Sequence, residues 1–131
     1  MPYTAQDLVA QACAVIEEID AARLLSLQAA GTPVIDVREP GEFAEGHIPG
    51  AVNIPRGLLE FQVDGHPAVN CARDAHLAHR REPVVLYCRT GGRSALSAEA
   101  LKRLGFDHPL SLAGGWMRWV EDGGAVAAPQ A

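Results

Sequence analysis

The chain has no long apolar run, few cysteines, few aromatic side chains and little positive charge. No segment approaches the ~18–20 consecutive apolar residues of a membrane-spanning helix. The three cysteines, Cys13, Cys71 and Cys88, are an odd number without short-range pairing, so a disulfide framework is not expected. Free thiols point to a reducing compartment. The N-terminus lacks the basic and apolar regions of a secretory leader, so the expected location is the cytoplasm. Eleven Lys and Arg against 16 Asp and Glu leave a net charge of −5, which argues against a nucleic-acid surface as the main function.

The shortage of positive charge is uneven. Residues 1–64 carry three Arg and ten acids, whereas residues 65–131 carry eight Lys or Arg and six acids. An anion-binding site is therefore expected in the second half. The length of 131 residues fits one domain. A composition 48% hydrophobic and 21% charged is that of a globular chain able to bury a core.

Periodicity places the elements. Thr4 and Asp7 resemble a capping box, and Leu8, Val9, Ala12, Val15, Ile16 and Ile19 follow at helical spacing. This predicts an amphipathic helix over 4–19. Asp20 caps a second helix, Ala21 to Ala30, which Gly31 stops. The short apolar runs 34–37, 51–54, 84–87 and 110–112 read as buried strands. Helices are expected over 41–45, 75–81, 94–104 and 115–122, with a helical turn near Leu58, Leu59 and Phe61. Short strands alternating with helices predict an α/β domain. Its central, mostly parallel sheet would have about five strands, with helices on both faces. Ligands of such sheets bind beyond the carboxyl ends of the strands, and the run Val84-Val85-Leu86-Tyr87 ends directly at Cys88.

The segment after that strand, Cys88-Arg89-Thr90-Gly91-Gly92-Arg93-Ser94, is a small loop leading into a helix. Gly91 and Gly92 allow the backbone to curl with its amides inward, forming an anion-attracting nest. The helix N-terminus near Ser94 adds unpaired donors, and Arg89 and Arg93 add two positive charges. A cysteine so placed is expected to react as a thiolate nucleophile. The blander alternative, an inert buried thiol, is common for lone cysteines, but it does not account for two glycines and two arginines in one turn.

This loop resembles the active-site loop of the rhodanese family. Asp36-Val37-Arg38-Glu39, Glu42-Phe43 and the run from Gly46 to Pro55 (GHIPGAVNIP) are similar to the family's N-terminal signature. Leu112-Ala113-Gly114-Gly115-Trp116 resembles its C-terminal signature. The resemblance divides the chain into an N-terminal helical extension (1–19), a rhodanese-like domain (20–122) and a tail (123–131) expected to fray. It implies a single-domain thiosulfate sulfurtransferase in which Cys88 takes the sulfane sulfur of a donor such as thiosulfate. The resulting persulfide would pass the sulfur to cyanide or a thiol. Arg89, Thr90, Gly91, Gly92, Arg93 and Ser94 would bind the donor, with Arg89 and Arg93 on its sulfonate. No metal or organic cofactor is implied. The implied partners are the small-molecule donor and acceptor, or a sulfur-relay protein, but neither nucleic acid nor membrane.

Other readings belong to different classes. One is a persulfide carrier in a protein-to-protein relay; another is a non-catalytic binding module of the same fold. A phosphatase or arsenate reductase of this fold would need a loop longer by one residue than the four that separate Cys88 from Arg93 here. Asp36 and Arg38 read as a structural ion pair near the site, and His47 as a turn-stabilising side chain. His76 and His79 stand three apart without a third ligand nearby, which makes a solvated helix face the expectation rather than a metal site. Cys13 and Cys71 read as packing or loop thiols. One of Trp116 and Trp119 is expected in the core and the other at the site mouth. The chain is expected as a monomer, or as a homodimer through its first helix.

Overall fold

The computed structural model describes residues 4–64 and 80–128. The chain forms one five-stranded sheet among these residues, with every strand pair parallel. The strands are β1 (Glu17–Ile19), β2 (Val34–Asp36), β3 (Val52–Asn53), β4 (Pro83–Tyr87) and β5 (His108–Leu112), in the spatial order β1-β5-β4-β2-β3. Among the described residues six α-helices accompany them: α1 (Ala5–Val15), α2 (Ala21–Ala29), α3 (Pro40–Glu45), α4 (Leu59–Asp64), α5 (Gly92–Arg103) and α6 (Gly115–Glu121). A 3-10 turn over Arg56–Leu58 precedes α4.

The pleat sorts the core into two clusters, because successive strand residues point to opposite faces. Val84, Leu86 and Cys88 join Ile35 and Val37 on one face, under Leu59 and Val63 of α4 and Ala98 and Leu101 of α5. Val85 and Tyr87 join Val34, Leu110 and Leu112 on the other, under Leu24 and Leu27 of α2 and Trp119 of α6. The central strand β4 is buried on both faces, which is why its sequence is apolar throughout rather than alternating.

Two expectations are corrected. The first helix does not run to Ile19: it ends at Val15, and Glu17–Ile19 pairs with Leu110–Leu112 as an edge strand. A helical spacing of apolar residues does not decide which of them a sheet edge captures, and Ile19 reaches the core either way. Nor is the tail frayed over its described part. His47 and Ala127 exchange backbone hydrogen bonds of 2.8 and 2.9 Å, and the Trp119 indole donates to the Ala125 carbonyl at 2.8 Å. The expected helix over 75–81 lies largely outside the described residues.

α1 packs its stripe on α5. The Thr4–Asp7 capping box is formed in both directions, and Lys102 Nζ donates to the Val15 carbonyl at the far end of the helix.

Candidate active site

β4 carries Cys88 to the carboxyl end of the sheet, where the sulfur sits on the floor of a loop with only 1% of the residue exposed. The chain turns sharply through Arg89 and Thr90, both exposed, and enters α5 at Gly91. Gly91 has φ 116°, a left-handed conformation that a side chain would resist. That turn aims the Gly91 N–H at the Cys88 Sγ, 3.1 Å away. The first N–H groups of α5 have no acceptors within the helix, so the sulfur lies against the positive end of a 12-residue helix.

Behind the sulfur is a pair of buried hydroxyls. Ser94 Oγ lies 3.6 Å from Cys88 Sγ and donates to the Gly91 carbonyl at 3.2 Å. Ser111, on β5, lies 2.8 Å from Ser94 Oγ. Both serines are fully buried.

The outer side of the loop is held by the start of α6. The Trp116 N–H donates to the Cys88 carbonyl at 2.8 Å and the Met117 N–H to the Arg89 carbonyl at 3.0 Å. With its carbonyls turned toward α6, the loop keeps the Gly91 amide turned toward the sulfur. Gly115 makes the close approach possible: a Cβ there would lie 2.5 Å from the Cys88 carbonyl oxygen, and its φ is +57°.

The two loop arginines differ in their surroundings. Arg93 does not stand open to a sulfonate: its terminal nitrogens donate to both oxygens of Glu42 at 2.8 and 3.1 Å. This hydrogen bonding raises the Arg93 guanidinium above its ordinary value, with smaller contributions from Glu42, Cys88 and Asp36 charge. In return, the Arg93 hydrogen bonds lower the Glu42 carboxyl from 4.5 to about 2. Among the described residues the exposed Arg89 guanidinium has no ion-pair partner. It borders an open cleft of about 390 Å³ together with Trp116, Met117, Glu42 and Glu45.

Asp36 and Arg38 form a buried ion pair of 2.6 Å. Arg38 also donates to the Gly46 carbonyl at 2.7 Å and lies 4.9 Å from the Trp116 ring centre. The pair thus ties the end of β2 to the turn after α3 and to the wall of the cleft. Asn53 Nδ2 donates to the Asp36 and Arg38 carbonyls at 3.0 and 2.9 Å. Burial, with Asp36 nearby, pushes the Tyr87 hydroxyl above its ordinary value, so it remains protonated where it accepts from the Ile48 N–H.

The remaining singled-out residues take other places. His47 stacks on Phe43 with ring centres 3.7 Å apart, and its Nδ1 lies 3.0 Å from the Phe43 carbonyl. Trp119 is buried in the core and Trp116 lines the cleft. Cys13 is half-buried in α1, and burial raises its thiol above the ordinary value, with Glu18 adding to the effect. Cys71, His76 and His79 lie outside the described residues. Among the described residues no cluster of three or more His, Cys, Asp or Glu has metal-binding proximity.

Sequence reasoning missed Glu42 as the partner of Arg93, because 51 residues separate them. It also missed Ser111. A hydroxyl inside the apolar run Leu110-Ser111-Leu112 was the available signal, since a buried polar group requires a partner.

Comparison with known proteins agrees with this fold. The family model for the rhodanese-like domain matches residues 20–122. A sulfurtransferase from Allochromatium vinosum is 31% identical over 118 residues, spanning 88% of this chain and 98% of its own. Among solved structures, a Rhodopseudomonas palustris protein of unknown function, a possible tyrosine phosphatase, superposes with TM-score 0.81 at 30% identity, covering 97% of this chain and 99% of its own. A human single-domain sulfurtransferase superposes with TM-score 0.66 at 29% identity, over 79% of this chain and 95% of its own. The chain belongs to the rhodanese-like domain family. Its relatives in that family include sulfurtransferases.

Proposed function

We propose that this protein transfers sulfane sulfur from thiosulfate, or a donor like it, to cyanide or a thiol through a persulfide on Cys88. The observation that carries this reading is the position of Cys88 Sγ, buried under the Gly91 N–H at the head of α5 with an open arginine at the rim. The Cys88 thiolate attacks the outer sulfur of thiosulfate. A new S–S bond forms, the S–S bond of the donor breaks, and sulfite leaves with the electron pair. The Cys88 persulfide anion then gives its outer sulfur to cyanide, which leaves as thiocyanate, or to a thiol. The nest that receives the thiolate receives the persulfide anion as well. No proton is moved by a base, and no metal or organic cofactor enters either step.

Burial of the sulfur favours slim reactants that approach it end-on. Arg89 is the residue placed to meet the sulfonate end, with Arg93 acting through its pair with Glu42 on the shape of the loop. Arg89→Ala is expected to raise the apparent KM for thiosulfate about tenfold, the loss of one charge-assisted contact. An unchanged KM would remove Arg89 from this role. The four-residue spacing between Cys88 and Arg93 disfavours the phosphatase or arsenate reductase reading, because a loop that must wrap the reacting tetrahedral centre itself has to be wider than one that receives only a donor's terminal sulfur. The reducing conditions of the cytoplasm suit a chemistry that needs a free thiol.

The exposed Met117 and Val120 beside the cleft favour a second reading, in which a protein docks there and hands sulfur to Cys88. A relay protein would show slow turnover of free thiosulfate and fast transfer from a protein persulfide. The deciding experiment is intact-protein mass after brief thiosulfate treatment. The wild type is expected to gain one sulfur, ~32 Da, that cyanide removes, and Cys88→Ser to gain nothing. No gain in the wild type would exclude thiosulfate as donor, and a gain in both proteins would exclude Cys88 as the sulfur's site.

A further inference from the structure

The hydroxyl pair behind the nucleophile is not explained by packing. Ser111 interrupts the apolar strand β5 at full burial. Its side chain has one hydrogen-bond partner among the described residues, Ser94 Oγ at 2.8 Å. Ser94 in turn reaches two other groups, the Gly91 carbonyl at 3.2 Å and Cys88 Sγ at 3.6 Å. Three neighbours thus compete for one hydroxyl with a single proton and two lone pairs.

The competition has different outcomes in the two charge states of the sulfur. While Cys88 is a thiol, its S–H donates to Ser94, and Ser94 spends its proton on Gly91 or Ser111. Once the sulfur is an anion, as thiolate or persulfide, it can only accept. Ser94 can then donate to it only by releasing another acceptor. The Gly91 carbonyl is an acceptor only, and it also takes the Ala95 N–H at 3.0 Å, so it keeps a partner when Ser94 turns away. Ser111 is the one neighbour of Ser94 that can switch from accepting to donating.

From this we infer that Ser111 is a positioning residue. By donating to Ser94 Oγ it anchors that hydroxyl and orients its proton toward the sulfur anion, and polarisation along the chain strengthens the Ser94 donor. No proton changes owner. Both hydroxyls rotate and stay intact, so the arrangement stabilises the anion without acting as a base. The inference rests on Cys88 as the nucleophile and extends the site to a residue on a neighbouring strand, behind the sulfur and away from the cleft.

The test separates this role from mere packing. In Ser111→Ala, alkylation of Cys88 by iodoacetamide at neutral pH and single-turnover persulfide formation are both expected to slow about fivefold, the loss of one buried hydrogen bond. The KM for thiosulfate is expected to stay unchanged, because Ser111 does not face the cleft. Ser111→Thr, which keeps the hydroxyl, is expected to recover most of the rate. In Ser94→Ala, removal of Ser111 is expected to add nothing further, since Ser111 acts only through Ser94. Equal alkylation rates in the wild type and a folded Ser111→Ala protein would overturn the inference, as would additive losses in the double variant. Alkylation does not depend on any sulfur donor. Its result stands even if thiosulfate proves to be the wrong substrate, so the two failures are distinguishable.

Discussion

Charge at this site is arranged residue by residue, and position in the fold matters more than residue type. Arg89 and Arg93 flank the same loop, yet one faces the cleft and the other is clamped by Glu42. The clamp has a pH signature. Arg93 lowers the folded-state carboxyl of Glu42 from 4.5 to about 2. Its stabilisation is therefore fully present above about 4.5 and is lost as pH falls toward 2. Comparison of Glu42→Gln with the wild type by thermal unfolding across this range is expected to show a gap at neutral pH that closes as the acid protonates. A gap that stays constant down to the lowest pH would mean that the ion pair contributes nothing to stability. Both side chains are partly solvated, so a modest gap is expected.

At the scale of elements, the loop is a product of three of them. β4 delivers the sulfur, the cap of α5 supplies the Gly91 amide, and the start of α6 takes the loop carbonyls. The contact between α6 and the loop depends on Gly115, where any Cβ would overlap the Cys88 carbonyl and the Arg89 backbone. Gly115→Ala must displace one backbone from the other and also hold alanine in a left-handed conformation. Persulfide formation is expected to slow about a hundredfold, with a lowered unfolding midpoint, because small displacements of a reacting atom are costly. Mass spectrometry after timed thiosulfate exposure checks the first effect, and calorimetry the second. Unaltered kinetics would show that α6 does not shape the loop.

In the molecule as a whole, α1 joins the domain through α5, the helix whose first turn faces Cys88. Ala12 is fully buried, Val9 and Ile16 are half-buried, and Val9 lies where a Cβ on Gly92 would meet it at 3.6 Å. Deletion of residues 1–15 is expected to lower the unfolding midpoint by about 5 °C or more, with the mass by light scattering falling only by the residues removed. A halved mass would instead assign the remaining exposed face of α1, Leu8 and Val15, to a second copy. The sequence by itself determined the strand–loop–helix around Cys88, the parallel α/β class and the family, because those rest on short-range signals: apolar runs, glycines and residues at fixed spacing. Tertiary structure alone decided that Glu17–Ile19 becomes an edge strand, that residues 124–127 are tied back, that Arg93 answers to Glu42, and that Ser111 stands behind Ser94. Each of these is a pairing between segments distant in the chain or a choice between two local conformations. Local spacing carries no term for such choices; they are settled by which surfaces and hydrogen-bonding groups the packed sheet leaves without a partner.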